Sequence, residues 1–151
     1  MIELYTAATG NGQRAAIALE EAGLAYKAHK LNLQGGDQKK PEYLQINPAG
    51  VIPAIVDSDG PGGKPITVTQ SAAILLYAAE KAGKLVPKDF ARRAAAYEWT
   101  MQACTDCAAA SGTIFQLSMM VPDKSPKNVE HFENRLLRFW RVADAHLAKR
   151  E

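Results

Sequence analysis

The fold of this 151-residue chain is decided by Asn47-Pro48-Ala49-Gly50-Val51-Ile52-Pro53-Ala54-Ile55-Val56-Asp57. Asn-Pro followed by Gly is typical of a turn, and the apolar run after it is typical of a strand. A proline cannot donate to a sheet ladder, so Pro53 belongs at a sheet edge or at the first residue of a strand. The bond before Pro53 is either trans, at an ordinary strand start, or cis. A cis bond would turn the N–H and C=O of Ile52 outward, where another extended peptide could pair with them.

The composition of the chain excludes several classes of function. Apolar residues make up 47% and charged residues 23%, as in ordinary globular proteins. The net charge of +2, with both signs interspersed, gives no basic surface for nucleic acid or an anionic membrane. No apolar run approaches a membrane span, and the N-terminus resembles no signal peptide. Two cysteines do not make a secreted disulfide framework, so we expect a cytoplasmic protein.

Outward from the central stretch, strands and helices follow one another in a definite order. The first strand, helix and second strand predict a βαβ unit with a parallel strand pair. The third and fourth strands flank a Gly- and Pro-rich turn at 58–63, which predicts a hairpin. Gly23 and Gly83 are expected to end the two main helices. The predicted elements are Ile2–Ala7, Gln13–Ala22, Tyr26–Leu33, a helical turn in Lys40–Ile46, Ala54–Asp57, Pro65–Thr69, and a helix capped by Ser71 that runs to about Ala79.

Two motifs fall at consistent positions within this order: Asn-Pro-x-Gly-x-Ile-Pro at 47–53 and Gln-Ser-Ala-Ala-Ile-Leu-Leu-Tyr at 70–77. Together with the order β-α-β-α-β-β-α, they resemble the N-terminal domain of the glutathione transferases. The resemblance covers residues 1 to about 87. It implies an α+β thioredoxin-like fold with a mixed four-stranded sheet, and a glutathione-binding domain at 1–82. The loop Thr9-Gly10-Asn11-Gly12-Gln13, with Gln38 downstream, is similar to that of nu-class members, which are bacterial disulfide-bond reductases.

Residues 88–151 are predicted to form two amphipathic helices and no strand. The break between them lies at Val121–Pro126, and each helix carries an apolar stripe at spacings of three and four. They resemble the start of the family's all-helical domain, which implies a partial, incomplete all-α domain here. The apolar faces that further helices would cover then need another partner or stay exposed. The stripes comprise Ala94, Tyr97, Met101, Cys104 and Ala108, then Val129, Phe132, Leu136, Phe139 or Trp140, Ala143 and Leu147.

The start of the first predicted helix is the candidate catalytic centre. The N-terminal end of a helix carries partial positive charge and unpaired N–H groups, which stabilise a thiolate. The resemblance implies that Thr9 and Asn11 act there in place of the activating Tyr, Ser or Cys of other classes. Asn11 is otherwise a plain helix cap. Tyr5 is an alternative activator, although its place inside the first strand favours a structural role.

The other candidate residues would hold glutathione. Ser71, at a helix start, either caps that helix or binds the γ-glutamyl carboxylate with its hydroxyl and the free N–H groups. The resemblance implies that Gln70 reaches the amine, Gln38 a carboxylate, and the backbone of Ile52, oriented by Pro53, the cysteinyl part. It also implies roles at two positions where relatives carry basic residues: Val51 at the glycyl end and His131 across a homodimer. Arg135 and Arg138 follow His131 by one and two turns, and a solvated histidine is the alternative.

Cys104-Thr105-Asp106-Cys107 forms a C-x-x-C pattern with several interpretations. Redox dithiols of thioredoxin type open the first helix of the βαβ unit, a place that Thr9–Gly12 occupies here. Cys104 is therefore interpreted either as buried apolar filler or as a thiol that lines a substrate cleft. A zinc site would need a second ligand pair, so we predict no metal.

The resemblance implies an enzyme that binds glutathione, stabilises its thiolate, and transfers it to an electrophile or reduces a disulfide. Its expected partners are glutathione, a small electrophilic or disulfide substrate, and a second copy in a homodimer. A non-catalytic binding or regulatory protein of the same fold is the alternative. A shortened chain that pairs into an unusual or swapped dimer is a third hypothesis.

Overall fold

The structure is a computed structural model that describes residues 1–149, and it divides into two compact units, Met1–Lys88 and Asp89–Glu151. The first unit alternates strands and helices, as the sequence predicts. Short 3₁₀ turns at Asp37–Lys39 and Pro61–Gly63 complete its connections. Its main elements are β1 (Ile2–Thr6), α1 (Gly10–Ala22), β2 (Tyr26–Lys30), α2 (Pro41–Leu44), β3 (Ala54–Asp57), β4 (Ile66–Thr69) and α3 (Ser71–Ala82).

The four strands form one sheet in the order β2-β1-β3-β4. Strands β1 and β2 are parallel, and the β1–β3 and β3–β4 pairs are antiparallel. The predicted mixed four-stranded sheet of a thioredoxin-like fold is confirmed. Because β3 runs against both of its neighbours, the ends of β1 and β4 and the start of β3 lie at one edge of the sheet.

The main core lies between the sheet and the helices α1 and α3. Because the alanine side chains of α1 are small, α1 packs close to α3 and the sheet. Each large aliphatic side chain that is fully buried there contributes about 1.5–3 kcal/mol. A smaller cluster on the other sheet face contains Leu31, Tyr43, Ile52 and Ala54. The main core comprises Ile2, Leu4, Ala15, Ala18, Leu19, Ala22, Ile55, Ile74 and Ala78.

A buried carboxylate joins the β3–β4 hairpin to α3. Asp57, only 1% exposed, accepts hydrogen bonds from Tyr77 Oη at 2.6 Å, Lys81 Nζ at 2.8 Å and the Asp59 N–H at 3.0 Å. Burial alone would raise the pKa of Asp57, but the bonds from Lys81 and Tyr77 outweigh it and hold that pKa below its usual value. Burial and the bond to Asp57 raise the pKa of the Tyr77 hydroxyl.

The glycines predicted to end the two main helices are confirmed, but both helices begin before their predicted starts, and α3 runs to Ala82, beyond its predicted end at about Ala79. Gly23 and Gly83 follow α1 and α3 with left-handed φ angles of 72° and 63°. Helix α1 begins at Gly10, three residues before the predicted start, because Thr9 caps it. Helix α3 begins with Ser71 as its first residue, so the prediction that Ser71 is the cap is wrong.

The second unit contains helices and their connections, and no strand, in its described part, residues 89–149. The helices are α4 (Phe90–Met101), α5 (Ala108–Phe115) and α6 (Pro126–Leu147), with π-helical segments at Gln102–Cys107 and Gln116–Met120. The helical backbone is therefore continuous from Phe90 to Met120. Among the helices of residues 1–149, none combines the length and apolar content that a transmembrane span needs.

The stripe predicted for α6 is largely correct, and the earlier stripe is not. Trp140 and Leu147 are 57% and 65% exposed, and His146 packs against Trp99 at a ring distance of 4.2 Å instead. Apolar residues lie on more than one side of α4, so their spacing does not define which side packs. The wrongly predicted positions of the earlier stripe are Ala94, Tyr97 and Met101, which are exposed. The positions that are partly buried on α6 are Val129, Phe132, Leu136, Phe139 and Ala143.

Candidate functional site

The candidate site lies at the sheet edge where β1 and β4 end and β3 begins. Ala54 pairs with Tyr5 on one side and Thr69 on the other, which places these three positions side by side. The chain leaves β1 here for α1, leaves β4 for α3, and enters β3 through the proline segment. Seven of the predicted site residues lie on these connections or in the first turn of the helix that follows: Thr9, Asn11, Val51, Ile52, Pro53, Gln70 and Ser71.

The start of α1 lies directly against the end of β1. The Thr9 side-chain oxygen caps the helix by accepting the Gly12 N–H at 3.2 Å. A Cβ at Gly12 would lie 2.1 Å from the carbonyl oxygen of Ala7, so only glycine fits this close approach. Asn11 lies in the first turn with an exposed side chain, so the interpretation of Asn11 as the cap is wrong. The NH₂ group of its amide is available for another role.

The segment before β3 is held in place by two side chains. Tyr43 Oη and Asn47 Nδ2 each donate to the Val51 carbonyl oxygen at 2.6 Å. The Ile52–Pro53 peptide bond is cis, one of the two expected alternatives. The hydrogen bonds found within residues 1–149 include none from the backbone of Ile52. Its N–H and C=O are therefore free to pair with an extended peptide.

We expect Asn47→Ala to destabilise the fold and to weaken the binding of any ligand that pairs with the backbone of Ile52. Asn47 is 4% exposed, and its side chain also accepts the Ala49 N–H at 3.2 Å. Its loss removes the bonds that its buried side chain makes to the Val51 carbonyl oxygen and the Ala49 N–H, at a cost of about 1–3 kcal/mol in the free energy of unfolding. Chemical denaturation measures that change, with the exposed Gln45→Ala as the matched control. A free energy of unfolding equal to that of the control would show that Asn47 does not hold this segment.

The start of α3 combines a buried hydroxyl with an unusual backbone conformation. Gln70, just before the helix, has φ of 72° and ψ of 122° and makes no side-chain cap. A non-glycine residue in such a region costs about 1–3 kcal/mol, and residues of this kind cluster at ligand sites. The exposed Gln70 side chain lies next to Ser71, which is 8% exposed. The hydroxyl of Ser71 accepts a hydrogen bond from another helix.

That hydrogen bond comes from Arg14 of α1. Its Nη1 donates to Ser71 Oγ at 2.6 Å and to Asn11 Oδ1 at 3.0 Å. The guanidinium is half-buried, and no ion pair within residues 1–149 includes it. The sequence argument missed Arg14. Its spacing of three from Asn11 places the two on one helix face, but the contact with Ser71 depends on how α1 packs on α3.

Gln38 lies in the 3₁₀ turn Asp37–Lys39 and is half-buried. Its Nε2 donates to the Leu33 carbonyl oxygen at 3.2 Å, while its Oε1 is buried without a partner. Asp37 beside it bonds Lys40 and the Asn32 N–H, and these bonds lower the pKa of Asp37. A contact between Gln38 and a ligand carboxylate stays a prediction.

Tyr5 packs in an aromatic cluster on the sheet face that also carries α2. Its ring stacks on His29 with centroids 4.7 Å apart and is tilted against Tyr43 at 6.0 Å. His29 in turn bonds Glu3, and this bond lowers the pKa of the Glu3 carboxyl. These contacts favour the structural interpretation of Tyr5 over its role as an activator.

In the second unit, the predicted site residues have other contacts. His131 is exposed and meets Phe132 edge-on at 5.3 Å, while Arg135 pairs with Asp106 at 3.3 Å. Cys104 and Cys107 are free thiols within the π-helical segment Gln102–Cys107, and both are partly exposed. The interpretation of Cys104 as buried filler is therefore wrong.

The surroundings of Cys107 disfavour its thiolate form. Burial and the neighbouring Asp106 raise the pKa of the Cys107 thiol, which lowers its thiolate fraction at neutral pH. Within residues 1–149, no three His, Cys, Asp or Glu side chains cluster as metal ligands.

Known proteins resemble this chain in both sequence and structure. The family profile described as "Glutathione S-transferase, N-terminal domain" matches residues 11–81. Disulfide-bond oxidoreductase YfcG of Escherichia coli (strain K12) is 36% identical over 148 residues, which are 97% of this chain and 69% of that protein.

Two crystal structures superpose closely on the chain. A glutathione transferase family member from Pseudomonas fluorescens pf-5, with two glutathione bound, gives a TM-score of 0.91 at 36% identity. Glutathione transferase from Pseudomonas putida, with one glutathione disulfide per subunit, gives 0.91 at 35% identity. The match covers 99% of this chain in each case and 66% of each relative, so the chain spans about two thirds of their length.

Proposed function

Since this chain belongs to the glutathione S-transferase family, we propose that it binds glutathione with residues 1–82 and uses the thiolate to reduce disulfides. The observation that carries the proposal is the meeting of three elements at one sheet edge. There, one guanidinium nitrogen bonds both Asn11 and Ser71, next to an Ile52 backbone without partners. The names of the relatives, a disulfide-bond oxidoreductase and two glutathione-bound transferases, favour the same function.

The proposed binding mode assigns one part of glutathione to each element. The γ-glutamyl carboxylate accepts from the Ser71 hydroxyl and the first N–H groups of α3, and Gln70 reaches the amine. The cysteinyl part pairs with the N–H and C=O of Ile52 in the manner of an added strand. The glycyl end lies toward Val51 and Gln38. Val51 offers no charge to the glycyl carboxylate, so we expect that end to contribute little to affinity.

The thiolate is proposed to lie at the start of α1. The Asn11 amide and the hydroxyl hydrogen of Thr9 can donate to the sulfur, because the Thr9 oxygen already accepts the Gly12 N–H. The helix start adds unpaired N–H groups and partial positive charge. These donors favour the thiolate over the thiol, which lowers the pKa of bound glutathione and raises its reactivity.

Reduction then proceeds by two thiol–disulfide exchanges. The glutathione thiolate attacks one sulfur of the substrate disulfide, forms a mixed disulfide with it, and releases the other sulfur as a thiolate. A second glutathione thiolate attacks the sulfur of the bound glutathione, which releases the remaining substrate thiolate and glutathione disulfide. The substrate gains two electrons, and two glutathione molecules lose one each. The same bound thiolate could add to an electrophilic carbon, and the prediction that His131 acts across a homodimer stays a prediction.

We expect the double variant Cys104→Ser, Cys107→Ser to keep its glutathione-dependent disulfide reductase activity. In this mechanism, glutathione supplies both thiols, and neither cysteine has a part. The measurement is the initial rate of reduction of a small soluble disulfide. The glutathione disulfide that forms is reduced back to glutathione in a coupled reaction, which reports the rate. Ser111→Ala is the control, because it changes an exposed residue of the same unit that has no role in the proposed mechanism.

The outcome of that assay decides between two mechanisms. Wild-type activity that the double variant retains supports thiol exchange on glutathione alone. Activity that the double variant loses while it stays folded would replace this mechanism with a protein dithiol. Wild-type protein without activity, although it binds glutathione, would favour the non-catalytic alternative.

A further inference from the structure

We propose that Arg14 is a positioning residue, which orients Asn11 and Ser71 so that each presents a hydrogen-bond donor to one ligand. The inference rests on the proposed function, because the ligand in question is glutathione. Its basis is the pair of hydrogen bonds from Arg14 Nη1, at 3.0 Å to Asn11 Oδ1 and at 2.6 Å to Ser71 Oγ.

The bond to Asn11 decides which way the Asn11 amide faces. A guanidinium has five N–H donors and no acceptor, so it can only be met by an acceptor. Asn11 must therefore turn its oxygen toward Arg14, and its NH₂ group points elsewhere. An NH₂ group is the half of the amide that can stabilise a thiolate, whereas the oxygen would repel it. Without Arg14, the Asn11 amide, which is exposed, would be free to present either half.

The bond to Ser71 has the same effect on a hydroxyl. Ser71 Oγ accepts from Arg14, so the hydroxyl hydrogen is directed away from the guanidinium. A carboxylate that approaches the start of α3 then meets a donor. Because Ser71 is 8% exposed, few other partners can compete for that hydrogen. One side chain thus orients the donors that the proposed ligand would meet at its γ-glutamyl carboxylate and at its thiolate.

The charge of Arg14 also has no partner of opposite sign within residues 1–149. It lies half-buried beside the first turn of α1 and the first residue of α3, where both helix dipoles are positive. A cation at two positive helix ends is unfavourable until an anion arrives. Glutathione brings a carboxylate to the start of α3 and a thiolate to the start of α1, and these two anionic groups can neutralise the positive charge there.

Arg14 could instead serve only to stabilise the packing of α1 against α3. A binding experiment separates this structural role from the proposed positioning role. Glutathione affinity and the thiol pKa of bound glutathione are measured for wild type, Arg14→Ala, Arg14→Lys, Asn11→Ala and Ser71→Ala. Calorimetry gives the affinity, and the ultraviolet absorbance of the thiolate against pH gives the pKa. Arg141→Ala, an exposed arginine in α6, is the control for loss of one positive charge.

We expect Arg14→Ala to lower the affinity for glutathione about tenfold and to raise the pKa of the bound thiol. Ser71→Ala should reproduce only the first effect, and Asn11→Ala should produce mainly the second. Arg14→Lys keeps the charge and loses the geometry that serves two partners, so affinity should recover in part while the thiol pKa stays raised.

Two results would overturn the inference, and they differ in what else they affect. If the Arg14→Ala variant binds and ionises glutathione like wild type, Arg14 only stabilises the packing of α1 on α3. That holds even if the variant unfolds more easily, and the proposed function then stays intact. Folded wild-type protein that binds no glutathione overturns the proposed function together with this inference.

Discussion

Asn11→Ala is expected to lower the rate of glutathione-dependent disulfide reduction by about 10²-fold, while the affinity for glutathione changes little. Removing one aligned donor from a developing or bound anion typically costs about 10²–10³ in rate. The binding contacts at Ile52 and Ser71 are not altered by the change. Loss of a donor to the thiolate raises the pKa of the bound thiol, so less thiolate forms at neutral pH. The measurement is kcat and KM against pH for wild type and variant.

The pH dependence makes this prediction specific. Because the defect is in ionisation, the ratio of wild-type to variant rate should shrink as pH rises above the shifted thiol pKa. Asn128→Ala is a matched control, since Asn128 also lies with an exposed side chain in the first turn of a capped helix. A variant whose rate is lowered equally at every pH, or whose thiolate absorbance equals that of wild type, would show that Asn11 does not stabilise the sulfur.

Asp57→Asn is expected to cost about 3 kcal/mol in the free energy of unfolding, the largest stability effect we predict. The carboxylate is almost fully buried and accepts from Tyr77, Lys81 and the Asp59 N–H. An amide leaves the Lys81 ammonium without its counter-charge, and breaking such a buried pair costs about 3–5 kcal/mol. Lys81 is 26% exposed and also bonds the Asp59 carbonyl oxygen, which places the expected cost at the lower end. Denaturation by urea measures it.

The same carboxylate predicts a dependence of stability on pH. The pKa of Asp57 is lower in the folded chain than in the unfolded chain, so the unfolded state binds more protons in acid. Its contribution is complete above the unfolded pKa of about 3.9 and is lost as pH falls through the folded pKa. Wild type should therefore lose more stability than Asp57→Asn between about pH 5 and pH 2. Asp59→Asn, the same change on an exposed side chain, should follow wild type, and parallel curves for all three would contradict the assignment.

The central stretch shows why much of the fold could be read from the sequence. Asn47, Gly50 and Pro53 restrict the backbone locally, so the turn, the strand start and the possible cis bond follow from residue type. Gly23 and Gly83 end their helices for the same local reason. The start of α1 could not be read in this way, because Gly10, Asn11 and Gly12 are weak helix formers. They are helical since Thr9 caps them and the turn packs against β1.

The candidate site was predictable only where a motif or a helix end marks it. Asn11 and Ser71 could be proposed from their positions at helix starts, but the hydrogen bonds that orient them come from Arg14. Asn47 was interpreted as part of a turn, and its bond to the Val51 carbonyl depends on the folded loop. Such contacts join residues through tertiary packing, which spacing along the chain does not encode.

Calorimetric titration of the chain with reduced glutathione and with glutathione disulfide tests the central claim most directly. We predict binding of both forms by wild type and weaker binding by Ser71→Ala, by about 1–3 kcal/mol, because a buried carboxylate loses a charge-assisted hydrogen bond. That result would place the ligand at the start of α3, at the edge where Asn11 and Ile52 also lie. Folded protein that binds neither form would contradict the account and leave the thioredoxin-like unit as a scaffold for another partner.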